Sequence, residues 1–181
     1  MRPGRREAFL VAGVVGVLTI GAGSVVAGGS PELSTSGPVS VSGTEASGVF
    51  TIADRTVRQV RYDDQGLLRY RFALINDGRL PVTVTGLAGT QSDPRLFDIA
   101  TLTPAALSPG ESAQVTLTLE MNGCESLSSR SGSFVSSLNV RTVEAGVLQD
   151  VVTVVLPEEI HTGSPREAFC PRSTATSRPQ G

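Results

Sequence analysis

The chain has 181 residues, 39% hydrophobic and 18% charged, with a net charge of −2; that is enough for one domain with a real core, and it leaves no basic footprint for nucleic acid. All 15 basic residues are arginine, which excludes a phosphate loop built on lysine. One histidine and two cysteines cannot build a two-histidine copper site, and the cysteines lack zinc-finger spacing.

In chain order, residues 1–7 form a basic n-region carrying Arg2, Arg5 and Arg6, and no charge follows from Ala8 through Pro31. The apolar run Phe9 to Val26 is 18 residues long, just enough to cross a bilayer core at about 1.5 Å per residue. Residues 8–29 are therefore predicted to be a transmembrane signal-anchor. The arginines keep the N-terminus cytoplasmic and place the rest of the chain outside. Val25-Val26-Ala27 is a passable cleavage signature, so the alternative is a cleaved signal peptide and a secreted protein. Residues 30–47 are rich in Ser, Gly, Thr and Pro, a composition that predicts a flexible linker.

A period of two then recurs between residues 48 and 157. Weak strands are expected over Val49 to Ile52 and Val57 to Tyr62. Leu68, Tyr70, Phe72 and Leu74 alternate with Arg69, Arg71 and Ala73, the pattern of a half-buried strand. Asn76-Asp77-Gly78 follows as a turn, and Val82 and Val84 resume the alternation, which reads as a hairpin. A further weak strand covers Phe97 to Leu102. After the turn Ser108-Pro109-Gly110-Glu111, Val115, Leu117, Leu119 and Met121 alternate with polar residues in the clearest strand of the chain. Phe134, Ser136, Leu138 and Val140 alternate as well, and Gly146 joins them in a second hairpin to the β-branched run Val147 to Leu156. About seven short strands with Gly and Pro turns predict an all-β fold, an immunoglobulin-like antiparallel β-sandwich.

The segment Asn76-Asp77-Gly78-Arg79-Leu80-Pro81-Val82-Thr83-Val84, with Leu107-Ser108-Pro109-Gly110-Glu111 some thirty residues on, resembles bacterial immunoglobulin-like domains common in exported actinobacterial proteins. The resemblance covers roughly Gly48 to Pro157. It implies a sandwich fold and no activity, cofactor or site residue.

Residues 158–181 read as a polar tail. Cys124 and Cys170 fall in the part placed outside the membrane, where disulfides persist. Their pairing would tie the tail back at Cys170, closing a loop of about 46 residues worth roughly 4 kcal/mol. His161, in that tail, is expected to be solvated, so a Ser-His-Asp triad is not expected. Asp63, Asp64, Asp93 and Asp98 each sit beside a turn signal without calcium-loop spacing. No catalytic residue, metal ligand or cofactor is expected, and the chain reads as a non-enzyme. The main functional expectation is a membrane-tethered module that binds another envelope protein. The alternative is a secreted or anchored carrier of a small or polymeric envelope ligand, with a concave pocket between the sheets larger than about 300 Å³.

Overall fold

The computed structural model describes residues 30–43, 46–61, 66–92, 97–121 and 133–162. They form ten strands: β1 (Leu33–Ser42), β2 (Ala46–Ile52), β3 (Arg55–Arg61), β4 (Leu67–Asn76), β5 (Val82–Leu87), β6 (Asp98–Leu102), β7 (Ala105–Leu107), β8 (Ser112–Glu120), β9 (Ser133–Glu144) and β10 (Leu148–Thr162). A four-stranded sheet has the order β1-β4-β8-β6, and a six-stranded sheet the order β2-β3-β10-β9-β5-β7. Period-two alternation on β4, β8 and β9 turns Leu68, Tyr70, Phe72, Leu117, Leu119 and Leu138 into one core between the sheets. Each such side chain is fully buried, and burial of this kind contributes roughly 1.5–3 kcal/mol per residue.

The fold is all-β, but it is not the antiparallel immunoglobulin-like sandwich of about seven strands that short-strand counting predicts. It has ten strands among the described residues, and β3 runs parallel to β10, with Glu159 opposite Val57 and Thr162 opposite Val60. The reason lies in the length of β10. Its 15 residues continue through Pro157, with a register shift between Val155 and Ile160, and the last four, from Glu159 to Thr162, offer a second edge to β3. Pro157 ends pairing locally because it has no N–H to donate, yet alternation survives it: Leu156, Glu158, Ile160 and Thr162 all face inward and are buried.

Two local expectations also change. Residues 33–42, predicted as linker, form β1 and pair with β4 from Leu33 opposite Asn76 to Ser42 opposite Arg69. An edge strand is held chiefly by backbone bonds to its neighbour, so its poor apolar content did not prevent it. Thr35 Oγ1 also donates to Val155 O at 2.7 Å, linking β1 to β10 across the sandwich. The Asn76-Asp77-Gly78 turn does not close a hairpin either. β4 belongs to the four-stranded sheet and β5 to the six-stranded one, so the turn is a corner between sheets. Asn76 is 1% exposed; its Nδ2 donates to Leu80 O at 2.8 Å and Leu107 O at 3.2 Å, and its Oδ1 accepts from Gly78 N at 3.0 Å.

Among the described residues there is no helix, and so none long and apolar enough to cross a membrane. The expected span at 8–29 lies outside those residues. The single-pass, membrane-tethered arrangement, with the membrane as a partner through that helix, is corrected to this extent: the described residues are strands and the turns and loops between them, and none of them supplies the helix.

The β9–β10 hairpin is as expected, with Glu144 opposite Leu148 and Val147 N donating to Glu144 O at 3.1 Å. Both central residues have positive φ, 49° at Ala145 and 76° at Gly146, the geometry that matches the twist of a hairpin. A left-handed alanine costs roughly 1–2 kcal/mol. Ala145→Gly or Ala145→Asn should therefore raise stability by about 1 kcal/mol, read as a higher urea midpoint at unchanged slope; no shift in midpoint would show the turn to be unstrained.

Candidate functional site

The residues expected to carry a site separate sharply in the structure. Cys124 and Cys170, the expected disulfide, lie outside the described residues, as do Asp63, Asp64 and Asp93. The described residues contain no cysteine. Asp98 is exposed at the start of β6, opposite Glu120. Among the described residues no three acidic, histidine or cysteine side chains are grouped to hold a metal.

His161 is not a solvated tail residue. It sits in β10 opposite Phe134 of β9, with the rings stacked at 5.3 Å and 19°. Its Nε2 lies 2.5 Å from Glu159 Oε1, and Glu159 Oε2 accepts from Arg55 at 3.0 Å. On the opposite face of the same strand, Glu158 points into the core. Arg58 on β3 grips it with both Nε, at 2.5 Å, and Nη2, at 3.1 Å, and Tyr70 of the facing sheet donates its hydroxyl at 3.4 Å. Burial, and after it the neighbouring Glu158 charge, pushes the Tyr70 hydroxyl well above the ordinary tyrosine range. The adjacent pair Glu158-Glu159 thus serves two faces, as neighbouring residues on a strand must. Sequence reading missed it because Pro157 and two glutamates resemble the start of a polar tail; the signal available was the unbroken alternation of Leu156, Ile160 and Thr162.

Every charged group in this cluster is occupied by another, which makes it a structural bracket between β3, β4 and β10. An open feature lies elsewhere on the six-stranded sheet, on its outer face. There a groove of about 500 Å³ is lined by Thr85 of β5, Arg141, Thr142 and Val143 of β9, and Gln149, Asp150 and Val151 of β10. Its concavity arises at β5, where the register shifts between Val84 and Gly86 and Gly86 adopts φ +138°; a bulge of this kind bends the strand and re-aims its side chains. Arg141 opposite Val151, and Val143 opposite Gln149, put a guanidinium, an amide and two valines side by side. Asp150 Oδ1 accepts from Val151 N at 2.7 Å, which turns its carboxylate onto its own backbone. The Arg141 guanidinium makes no hydrogen bond or ion pair with any described residue. Where a carrier's pocket was expected, between the sheets, the described residues pack a buried apolar core. Alternation placed Val140 inside and so Arg141 outside, but nothing local in the sequence announces the bulge that makes the groove.

Two outcomes test the bracket. Glu158→Ala leaves Arg58 and Tyr70 buried without their partner and should cost about 3–5 kcal/mol in urea unfolding, whereas the double replacement Arg58→Met with Glu158→Leu should recover most of it; equal losses in both would mean that packing and not charge is at stake. Because the folded Tyr70 pKa lies above the unfolded value, the stability it contributes is complete below about pH 10 and fades above it, as the unfolded state releases the phenolic proton that the folded state keeps. Tyr70 should ionise only as the protein unfolds, so alkaline difference absorbance and loss of β-sheet circular dichroism should coincide for that residue and separate in Tyr70→Phe.

Compared with known protein families and with characterised proteins, the chain matches no family model and no curated protein.

Proposed function

We propose that this domain is a non-catalytic carrier that holds a small or polymeric ligand in the groove on the outer face of its six-stranded sheet. The observation behind this reading is the open groove of about 500 Å³ beside a guanidinium that no described residue engages. That volume falls within the range of small-molecule sites. A carrier needs a surface that is concave, partly apolar and polar at a few chosen points. Val143 and Val151 supply the apolar floor, Gln149 and Thr85 supply hydrogen-bonding groups, and Arg141 supplies charge. The ligand suited to this set bears an anionic group for Arg141 and an aliphatic face for the valines. Val155 continues the apolar stripe along β10, 66% exposed and on the same face as Val151.

The lining offers a cation, an amide, hydroxyls and one carboxylate but no nucleophile paired with a base, which supports binding without conversion. Arg141 is always charged and presents a planar fork of donors, so it recognises carboxylate or phosphate with geometry as well as charge.

Titration with decanoate, followed by methyl shifts of Val143 and Val151, tests the reading directly. Decanoate should bind and its neutral analogue decanol should bind more weakly. Charge-assisted hydrogen bonds contribute about 1.5–3 kcal/mol, so Arg141→Ala should weaken decanoate by roughly tenfold or more. Shifts confined to other surfaces, or an affinity untouched by Arg141→Ala, would remove the groove as the site.

A further inference from the structure

The two sheets end in four strand edges: β1 and β6 on the four-stranded sheet, β2 and β7 on the six-stranded one. An open edge is a row of unpaired N–H and C=O groups ready to accept another strand, and proteins blunt such edges with charges, prolines, bulges or brevity. β1 carries Pro38 and a register shift between Ser36 and Ser40. β6 opens on Asp98 and shifts between Ile99 and Thr101. β7 has three residues. Among the described strands, β2 alone has none of these devices. Its seven residues, Ala-Ser-Gly-Val-Phe-Thr-Ile, include no charge and no proline, and its pairing with β3 is unbroken from Ala46 opposite Arg61 to Ile52 opposite Arg55. Val49, Phe50 and Ile52 are 49%, 53% and 52% exposed.

We propose that β2 is the contact of a homodimer, in which two copies pair edge to edge and antiparallel about a two-fold axis, with Val49 opposite Val49.

The register follows from the hairpin. Ile52 and Arg55 flank the two-residue turn Ala53-Asp54, so they exchange ladder bonds, and Phe50 with Val57 and Gly48 with Gln59 do the same. The N–H and C=O groups of Ser47, Val49 and Thr51 therefore face the free edge. A two-fold axis through Val49 sets these groups against their own counterparts, Ser47 against Thr51 and Val49 against itself. It also sets Phe50 of each copy beside Gly48 of the other, a large ring against a residue with no side chain. Within one copy the Phe50 ring already lies over Gly48, where an added Cβ would come within 3.2 Å of it. Charge points the same way. An uncharged edge offers nothing to attract or orient a charged peptide, and the neutral complementary strand it calls for is its own sequence.

The area sets the strength. Seven paired residues run for about 23 Å, and a strip of that length covers less than the ~1,200 Å² of a standard stable interface. The dimer is therefore reversible, forming at micromolar concentrations or above.

Sedimentation velocity of the full chain from about 1 μM to 1 mM, in a non-ionic detergent that keeps the apolar segment 9–26 from adding its own association, should show a monomer–dimer equilibrium. Val49→Pro removes an edge-facing N–H and no bond to β3, and it should weaken dimerisation at least tenfold. Thr51→Lys charges the edge and keeps every ladder bond, so it should do the same if proline unsettles the hairpin. Narrow antiparallel pairs have Cα atoms about 5.5 Å apart, within disulfide reach, so Val49→Cys should oxidise to a dimer joined at residue 49, identified by peptide mass. Thr83→Cys, on β5 and away from this edge, should not. A monomer throughout the range, a dimer indifferent to both Val49→Pro and Thr51→Lys, or equal cross-linking at 83 would overturn the assignment.

Discussion

The sandwich depends on one buried amide. Asn76 ends β4 and must carry the chain from one sheet to the other, and its side chain satisfies both banks of that crossing at once. Its amide hydrogens go to Leu80 and Leu107, the approach to β5 and the end of β7, while its oxygen receives the Gly78 N–H. Its backbone is used as fully: Asn76 N donates to Glu111 O at 3.0 Å and Gly110 N donates to Asn76 O at 2.8 Å. The neighbouring Asp77 N reaches Glu32 O at 2.9 Å, just ahead of β1. Three chain segments remote in sequence thus meet at Asn76 and Asp77. Aspartate, with two acceptors and no donor, would face two carbonyl oxygens with a charge, so the position needs an amide. Even the turn that receives Asn76 is fixed from within, since Ser108 N donates to Glu111 Oε2 at 2.8 Å and holds that carboxyl below its ordinary range.

Against this frame, two arginines on the same sheet have opposite fates. Arg58 faces inward from β3 and is consumed by Glu158, with Tyr70 completing the arrangement from the facing sheet. Buried ion pairs of this kind add little net stability compared with a well-packed apolar core, but losing one partner is expensive. Arg141 faces outward from β9 and has no partner among the described residues. The chemistry of the side chain is the same in both places. What differs is whether the strand's alternation turns it toward the core or toward solvent, and the bulge in β5 then decides that the solvent side is concave.

Strand positions were legible wherever large apolar residues alternate without interruption, as over Leu68 to Leu74 and Val115 to Leu119, because burial of one face leaves a period of two that any single sequence displays. Topology was not. The hairpin expected at Asn76 is a corner because the residues that decide between the two, Leu107 and Glu111, lie some thirty positions away and enter only through hydrogen bonds to it. β1 was hidden because an edge strand drawing its stability from a neighbour's backbone needs little apolar sequence. The second half of β10 was hidden by Pro157 and two glutamates, although the inward positions on either side of Glu158 remain apolar. The groove was least legible of all, since its shape comes from a register shift and its residues come from three strands.

The parallel pairing of β3 with β10 also bears on how the chain comes to be folded. Arg58 and Glu158 stand 100 positions apart, and at ribosomal rates of about 5–20 residues per second that distance takes roughly 5–20 s to synthesise. For that interval the β2–β3 ribbon exists with neither outer edge satisfied, one awaiting the last strand of its own domain and the other uncharged. Contacts that join such distant positions are paid for in loop-closure entropy before they return any energy, so the six-stranded sheet closes late and slowly. The final strand is the keystone of the sheet it enters, and a nascent chain that stalls before Thr162 holds a half-built surface from which neighbouring chains on the same message can draw strands.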